Sequence, residues 1–143
     1  MSDQDTTPPP IPGNWETGIV TRTGAWTVGQ IWVDWEAKRY CLKVSEDHCN
    51  GVGGMHGGAM ATFLDGQAFV YQDREAADPH TPTISLQVNY LAPPVAGDWL
   101  VAEGVLVKTT RTMIFTQAIA TVGERVMASS HAIYKNNAGK DSL

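Results

Sequence analysis

Polar and apolar residues alternate from Thr83 to Tyr90. Thr83, Ser85, Gln87 and Asn89 interleave with Ile84, Leu86, Val88 and Tyr90. A period of two marks a strand with one packed face and one face that is wet or lines a site. With Leu91 included, Thr83 to Leu91 is the first of four strand-like runs; Trp99 to Val107, Thr112 to Val122 and Arg125 to Tyr134 follow. Pro93-Pro94, Lys108 to Arg111 and Gly123-Glu124 separate them, and links this short predict antiparallel neighbours. Upstream, Gln30 to Asp34 and Arg39 to Val44 carry strand-forming residues, and Trp35 to Lys38 between them predicts a hairpin.

Between these two groups the pattern changes. Gly58 to about Gln72 holds Ala59, Met60, Ala61, Leu64, Gln67 and Ala68, several of which favour helix. Apolar residues fall nearly all round it, which predicts a buried helix. Two strands, one helix and four strands make an α+β chain. An antiparallel sheet wrapped around one long buried helix satisfies both burial demands. Residues 1–13 are polar and then proline-rich and are expected to form a flexible tail, leaving 14–143 as a single domain.

Composition narrows this picture little. A chain of 143 residues with 43% hydrophobic and 17% charged content is large enough for one packed core. The net charge is −5 and the ten basic residues are scattered, so no basic stripe exists and nucleic acid is not an expected partner. Cys41 and Cys49 are expected as reduced thiols, and without a Cys-x-x-Cys pair no metal site is expected. The N-terminus does not read as a signal peptide and no apolar run reaches membrane-spanning length. A soluble, cytoplasmic protein is the expectation, with no membrane partner.

The candidate chemistry sits where loop becomes helix. From His48 to Asp65 five glycines precede an apolar run that holds a single carboxylate. The glycines do not make a phosphate loop: the dinucleotide fingerprint breaks at its last position, and no Lys follows Gly58. They let backbone approach a ligand or supply positive φ, against the plainer reading of a glycine-rich turn. Gly57 and Gly58 stand at the helix start, where free N–H groups at the positive end of the dipole suit a developing oxyanion. Asp65, in a core-like helix, is either bonded to a neighbouring hydroxyl or acts as base or nucleophile. His56 directly precedes the helix, and Asn50 either caps the loop or faces the site. His48, His80 and His131 are taken as structural or surface residues.

Helix geometry adds a constraint. Gly57 and Asp65 are eight residues apart, roughly 12 Å along a helix at about 1.5 Å per residue. One substrate carbonyl cannot touch both. If both act on one substrate they come from different chains, and two-fold symmetry then makes two identical sites.

The spacing Asn50-x2-Gly53-x2-His56-Gly57-Gly58-x6-Asp65 resembles the hotdog-fold acyl-CoA thioesterases of the phenylacetate-pathway (PaaI-like) type. The likeness continues through Thr83 to Pro93 and Gly97 to Glu103, and covers about Gly29 to Tyr134. The resemblance implies a hotdog domain that hydrolyses an acyl-CoA to free acid and CoA in a homodimer, with dimers able to pair again. CoA is then part of the substrate, and no metal or other cofactor is implied. Gly57 would polarise the thioester carbonyl, and Asn50 would assist there. His56 would orient the site near the departing thiolate, and Asp65 of the other subunit would activate water or attack directly. Thr83 would position the water, with Ser85 a rival expected on the same strand face. Gly58 and Arg111 are candidate substrate-binding residues; Lys108 and Lys135 are further candidates for the CoA phosphates, set against an ordinary solvated role. Gln67 and Phe69 are bulky where relatives often carry small residues, which bears on the size and polarity of the acyl pocket. Two other readings are a hotdog dehydratase or hydratase acting at the α-carbon, and a non-catalytic acyl-CoA binding module. The Asn50 and His-Gly-Gly arrangement favours hydrolysis over the first; the presence of Asp65 and the lack of an attached DNA-binding segment count against the second.

Overall fold

The computed structural model describes residues 6–18, 28–71 and 81–136. Six strands form one sheet: β1 (Trp32–Asp34), β2 (Arg39–Lys43), β3 (Thr83–Tyr90), β4 (Trp99–Thr109), β5 (Met113–Val122) and β6 (Arg125–Lys135). The spatial order is β1-β2-β4-β5-β6-β3, and every pairing is antiparallel. The expected 30–44 hairpin forms, its turn passing through Lys38 at φ 57°. Among the described residues β3 stands at one edge of the sheet, with β6 as its strand partner. No helix among the described residues is long and apolar enough to cross a membrane.

The helix is shorter than the sequence suggests. α1 spans Gly57–Leu64, Asp65 is its C-cap, and the chain continues through a turn into a 3-10 turn at Phe69–Tyr71. Gly66 is a poor helix former at the position that would extend it. The last turn tightens instead, with Gly66 N–H donating to Phe63 O at 3.2 Å and Gln67 N–H to Leu64 O at 3.1 Å. Gln72, the expected end, lies outside the described residues.

Met60, Phe63 and Leu64 bury one face of α1 on the sheet's inner face, in a core with Leu42, Leu100 and Met127. Ala102, Ala118, Ala120 and Ala128 line the same core, and such small side chains let the helix approach closely. Gly104 takes this furthest: an added Cβ would lie 3.3 Å from Gln67 O, so the turn after α1 rests on the β4 backbone.

In the proline-rich segment expected as part of a flexible tail, Pro9 is buried and Ile11 partly buried, while Thr6 to Pro8, Pro10, Pro12 and Gly13 are exposed. Ile11 and Trp15 pack on a second cluster of Trp32, Cys41 and Val101. Trp15 Nε1–H donates to Ile11 O at 2.8 Å, and the Arg39 guanidinium covers the Trp15 ring at 4.6 Å and donates to Pro12 O. Proline cannot join a ladder, but apolar burial and these bonds hold the segment down. Cys41 lies beneath it as a free thiol that burial pushes up to about 12.

Arg39 also pairs with Asp34, its register partner across the hairpin, at 3.2 Å. Burial alone would raise the Asp34 carboxyl. Hydrogen bonds from Ala37 N–H, Arg39 and Asn14 N–H outweigh that and hold it below its ordinary value. A lowered folded pKa stabilises the fold above the unfolded value and loses that contribution as pH falls through the folded value. Asp34→Ala is therefore expected to cost about 3 kcal/mol at pH 7 in urea unfolding. The deficit should narrow below about pH 4; a deficit that stayed constant into acid would contradict this.

Candidate active site

The glycine-rich loop is held by backbone bonds rather than by side chains. Asn50 N–H donates to Gly54 O at 2.8 Å, and Gly53 N–H to Asn50 O at 3.1 Å. Gly53 adopts φ 90°, open to glycine at little cost. A Cβ on Gly54 would come within 2.9 Å of Pro93, where the loop bridges to Val95. Met55 N–H donates to Pro94 O and His56 N–H to His48 O, both at 2.7 Å. These bonds aim residues 56–58 into α1. The Asn50 side chain makes a local turn, its Oδ1 accepting from Val52 N–H at 3.0 Å.

His56 is the N-cap of α1. Its Nδ1 accepts from Gly58 N–H at 2.9 Å, so in the neutral ring the proton is on Nε2, which is free to donate to a ligand. Gly58 leaves room for that ring: an added Cβ would lie 3.0 Å from Nδ1. The Gly58 N–H is therefore occupied, whereas no described residue accepts from Gly57 N–H. Tyr90, at the end of β3, donates through its hydroxyl to Gly57 O at 2.8 Å and lays its ring beside Gly57. Only its place on the inner-face side of the alternation, with Leu86 and Val88, hinted at this role.

Asp65 is half-buried at the other end of α1. Its Oδ1 accepts from Thr83 Oγ1 at 2.8 Å, and its main-chain carbonyl accepts from Tyr134 Oη at 2.7 Å. Burial, and then the neighbouring Asp65 carboxylate, push the Tyr134 phenol far above its ordinary value, so it is a neutral donor at any working pH.

The expected residues thus fall into two groups. Asn50, His56, Gly57 and Gly58 lie in or just after the loop that leads into the start of α1. Asp65 and Thr83 meet at its end. Eight residues of helix keep the groups roughly 12 Å apart within one chain. Arg111 makes no hydrogen bond or ion pair to either group among the described residues. It is exposed in the β4–β5 turn, which shares one end of the sheet with Lys135 and the start of β3: Asn136 N–H donates to Thr112 O and Lys135 N–H to Pro82 O, both at 2.8 Å.

Three expectations change. Ser85 does not share a face with Thr83. A bulge between them shifts the register, so that Thr83 pairs with buried Tyr134 while Ser85 pairs with Ile133. Opposed residues share a face, which turns Ser85 with Gln87 and Asn89 to the outer side. Gln67 cannot limit an acyl pocket, because it is fully buried in the core. Its Oε1 accepts from Thr116 Oγ1 at 2.8 Å, and its Nε2 donates to Leu64 O at 2.9 Å and Ser130 Oγ at 3.0 Å. Phe69 packs against Trp35 at 5.1 Å between ring centroids, partly buried against the core. His48 is structural as expected, with Nδ1 accepting from Ser45 N–H and Nε2 donating to Val28 O. His131 is exposed on the outer face, and His80 lies outside the described residues.

Among the described residues an antiparallel sheet is packed on one α-helix with candidate polar groups at both helix ends, the arrangement of a hotdog-class protein. Residues 52–131 match the thioesterase superfamily model, more than half of the chain. The chain is 32% identical over 96 residues to a Pseudomonas aeruginosa protein whose name proposes esterase activity, covering 65% of this chain and 70% of that one. It is 29% identical over 104 residues to human acyl-coenzyme A thioesterase 13, covering 67% and 71%. The solved Escherichia coli PaaI protein of the phenylacetic acid degradation operon superposes with a TM-score of 0.59 at 18% identity, over 68% of this chain and 74% of that one. The chain belongs to the thioesterase superfamily, and its class of chemistry is thioester hydrolysis.

Proposed function

We propose that this protein hydrolyses acyl-CoA thioesters at a site completed by two copies of the chain. One observation carries the reading: the free Gly57 N–H and the Thr83-bonded Asp65 carboxylate stand at opposite ends of an eight-residue helix. Neither group can serve the other's substrate within one chain. The edge strand β3 offers the means of pairing. Its outer flank is unpaired among the described residues, and it carries exposed Ile84 and Tyr90. An exposed edge is a template for another strand. Two copies joined β3 to β3 about a two-fold axis would lay their helices antiparallel, the Gly57 end of one beside the Asp65 end of the other.

In this reading the thioester oxygen accepts from Gly57 N–H at the positive end of α1. Tyr90, bonded to the Gly57 carbonyl, fixes the Gly57–Gly58 peptide and so the residue whose N–H faces the substrate, and Asn50 stands close by in the loop. Asp65 of the second copy takes a proton from water, which Thr83 helps to orient, and the water oxygen attacks the carbonyl carbon. The tetrahedral intermediate collapses, the C–S bond breaks, and CoA leaves as thiolate near His56 Nε2–H. Arg111 and Lys135, at the Asp65 end of the sheet, suit phosphate groups of the leaving CoA. The same carboxylate attacking carbon directly would give an anhydride that water then opens.

Purified protein offered aryl, short-chain and long-chain acyl-CoAs should release free thiol from at least one. No release above buffer from any member of the panel would sink this reading.

A further inference from the structure

Both ends of Asp65 are held, and by residues that face each other. Thr83 on β3 and Tyr134 on β6 are register partners. Thr83 bonds the Asp65 side chain at 2.8 Å, and Tyr134 bonds its main-chain carbonyl at 2.7 Å. The pair exists only because of the β3 bulge. Leu86, Val88 and Tyr90 occupy the inner face, so unbroken alternation would put position 83 on the outer one. The irregularity between Thr83 and Ser85 turns the Thr83 hydroxyl inward to the carboxylate.

The neighbouring carbonyls are held in the same way. Tyr40 Oη on β2 donates to Phe63 O at 2.6 Å, and Gln67 Nε2 donates to Leu64 O at 2.9 Å. Three consecutive carbonyls ending at Asp65 therefore each take a buried side-chain donor. Helix C-terminal carbonyls need partners, but water or a glycine cap ordinarily supplies them. Phe63 O and Leu64 O already accept the tightened-turn bonds from Gly66 and Gln67, so at those two carbonyls helix termination does not require the extra donors, while Asp65 O takes its bond from Tyr134. The added bonds fix the helix end to β2 and β6. A carboxylate on that end gains a set position at the cost of ordering two buried phenols.

We propose that Tyr134 is a positioning residue for the Asp65 carboxylate, acting with the bulge-turned Thr83 as a cross-strand clamp. This rests on Asp65 being the group that activates water. Tyr134 touches no substrate; it holds the main chain from which the carboxylate reaches the water.

The test compares Tyr134→Phe with Tyr71→Phe on the full chain, using the acyl-CoA of the panel that is cleaved fastest. Tyr71 is a matched control: its hydroxyl donates to Gly104 O at 2.6 Å, away from Asp65. Tyr134→Phe is expected to lower kcat about tenfold with KM within about twofold, because a misplaced base loses rate rather than binding. Tyr71→Phe should leave kcat unchanged. Tyr40→Phe, which frees the carbonyl two residues before Asp65, should show a smaller loss of kcat at constant KM. Wild-type kcat in folded Tyr134→Phe, or an equal loss in Tyr71→Phe, overturns the proposal. Should Tyr134→Phe not fold, an unchanged kcat in Tyr40→Phe overturns it. Asp65→Asn runs alongside: if that variant is fully active, the reading of Asp65 fails. If it is inactive while Tyr134→Phe is not impaired, only the clamp fails.

Discussion

Asp65→Asn is expected to lower kcat by about a thousandfold while leaving the protein folded. The amide keeps an oxygen that can accept the Thr83 hydroxyl, now bonded to Oδ1 at 2.8 Å. The main-chain bond from Tyr134 is untouched. What the amide cannot do is take a proton from water or attack as an anion. The loss should therefore appear in kcat, with little change in KM and an unchanged circular dichroism spectrum and elution volume. Full retained activity would remove Asp65 from the mechanism.

Mixing two inactive variants should restore activity. In a dimer of one Asp65→Asn chain and one chain blocked at Gly57, one site has both defects and the other has neither. Each such heterodimer should work at about half the wild-type rate, and a random equal mixture at about a quarter, because half its dimers are mixed. Gly57→Val is a suitable block. A Cβ there meets the Tyr90 ring at 3.5 Å, an ordinary contact, so the branched side chain crowds the ligand approach more than the fold. Activity should rise from near background as subunits exchange. Confirmed heterodimers that stay inactive would show that each chain completes its own site.

The sequence and the structure agree most closely where local chemistry decides. Strand β3 is readable because its alternation matches the pleat, and the strands after it because Pro93-Pro94 and Gly123-Glu124 punctuate them. The start of α1 is readable because His56-Gly57-Gly58 leads into helix-forming residues. The end of α1 is less so. Composition carries the helical signal past Leu64, yet the chain turns there because Gly66 does not extend the helix and Gln67 buries its amide among Thr116, Ser130 and Leu64 O. Those strand partners lie 49 and 63 residues away in sequence, and no local window contains them.

The same distance explains the face of Ser85 and the packing of Ile11 and Trp15. A bulge of one residue inverts which side chains face inward, and nothing in Thr83-Ile84-Ser85 announces it. Residues 6–13 read as a tail because proline makes no regular element, and Ile11 and Trp15 are the residues of this region that pack. Those two side chains find an apolar surface built from three strands.

By itself, then, the chain's pattern determined the order of elements, an α+β chain, the place of the His-Gly-Gly turn and the separation of Gly57 from Asp65. That last point follows from helix rise alone, and the shorter α1 observed keeps Gly57 and Asp65 at its two ends. Only the tertiary structure decided which donors are free, which face Thr83 presents, and that Tyr90 and Tyr134 bond the backbone at the two ends of α1. Such facts depend on contacts between residues far apart in sequence, made when the sheet closes over the helix.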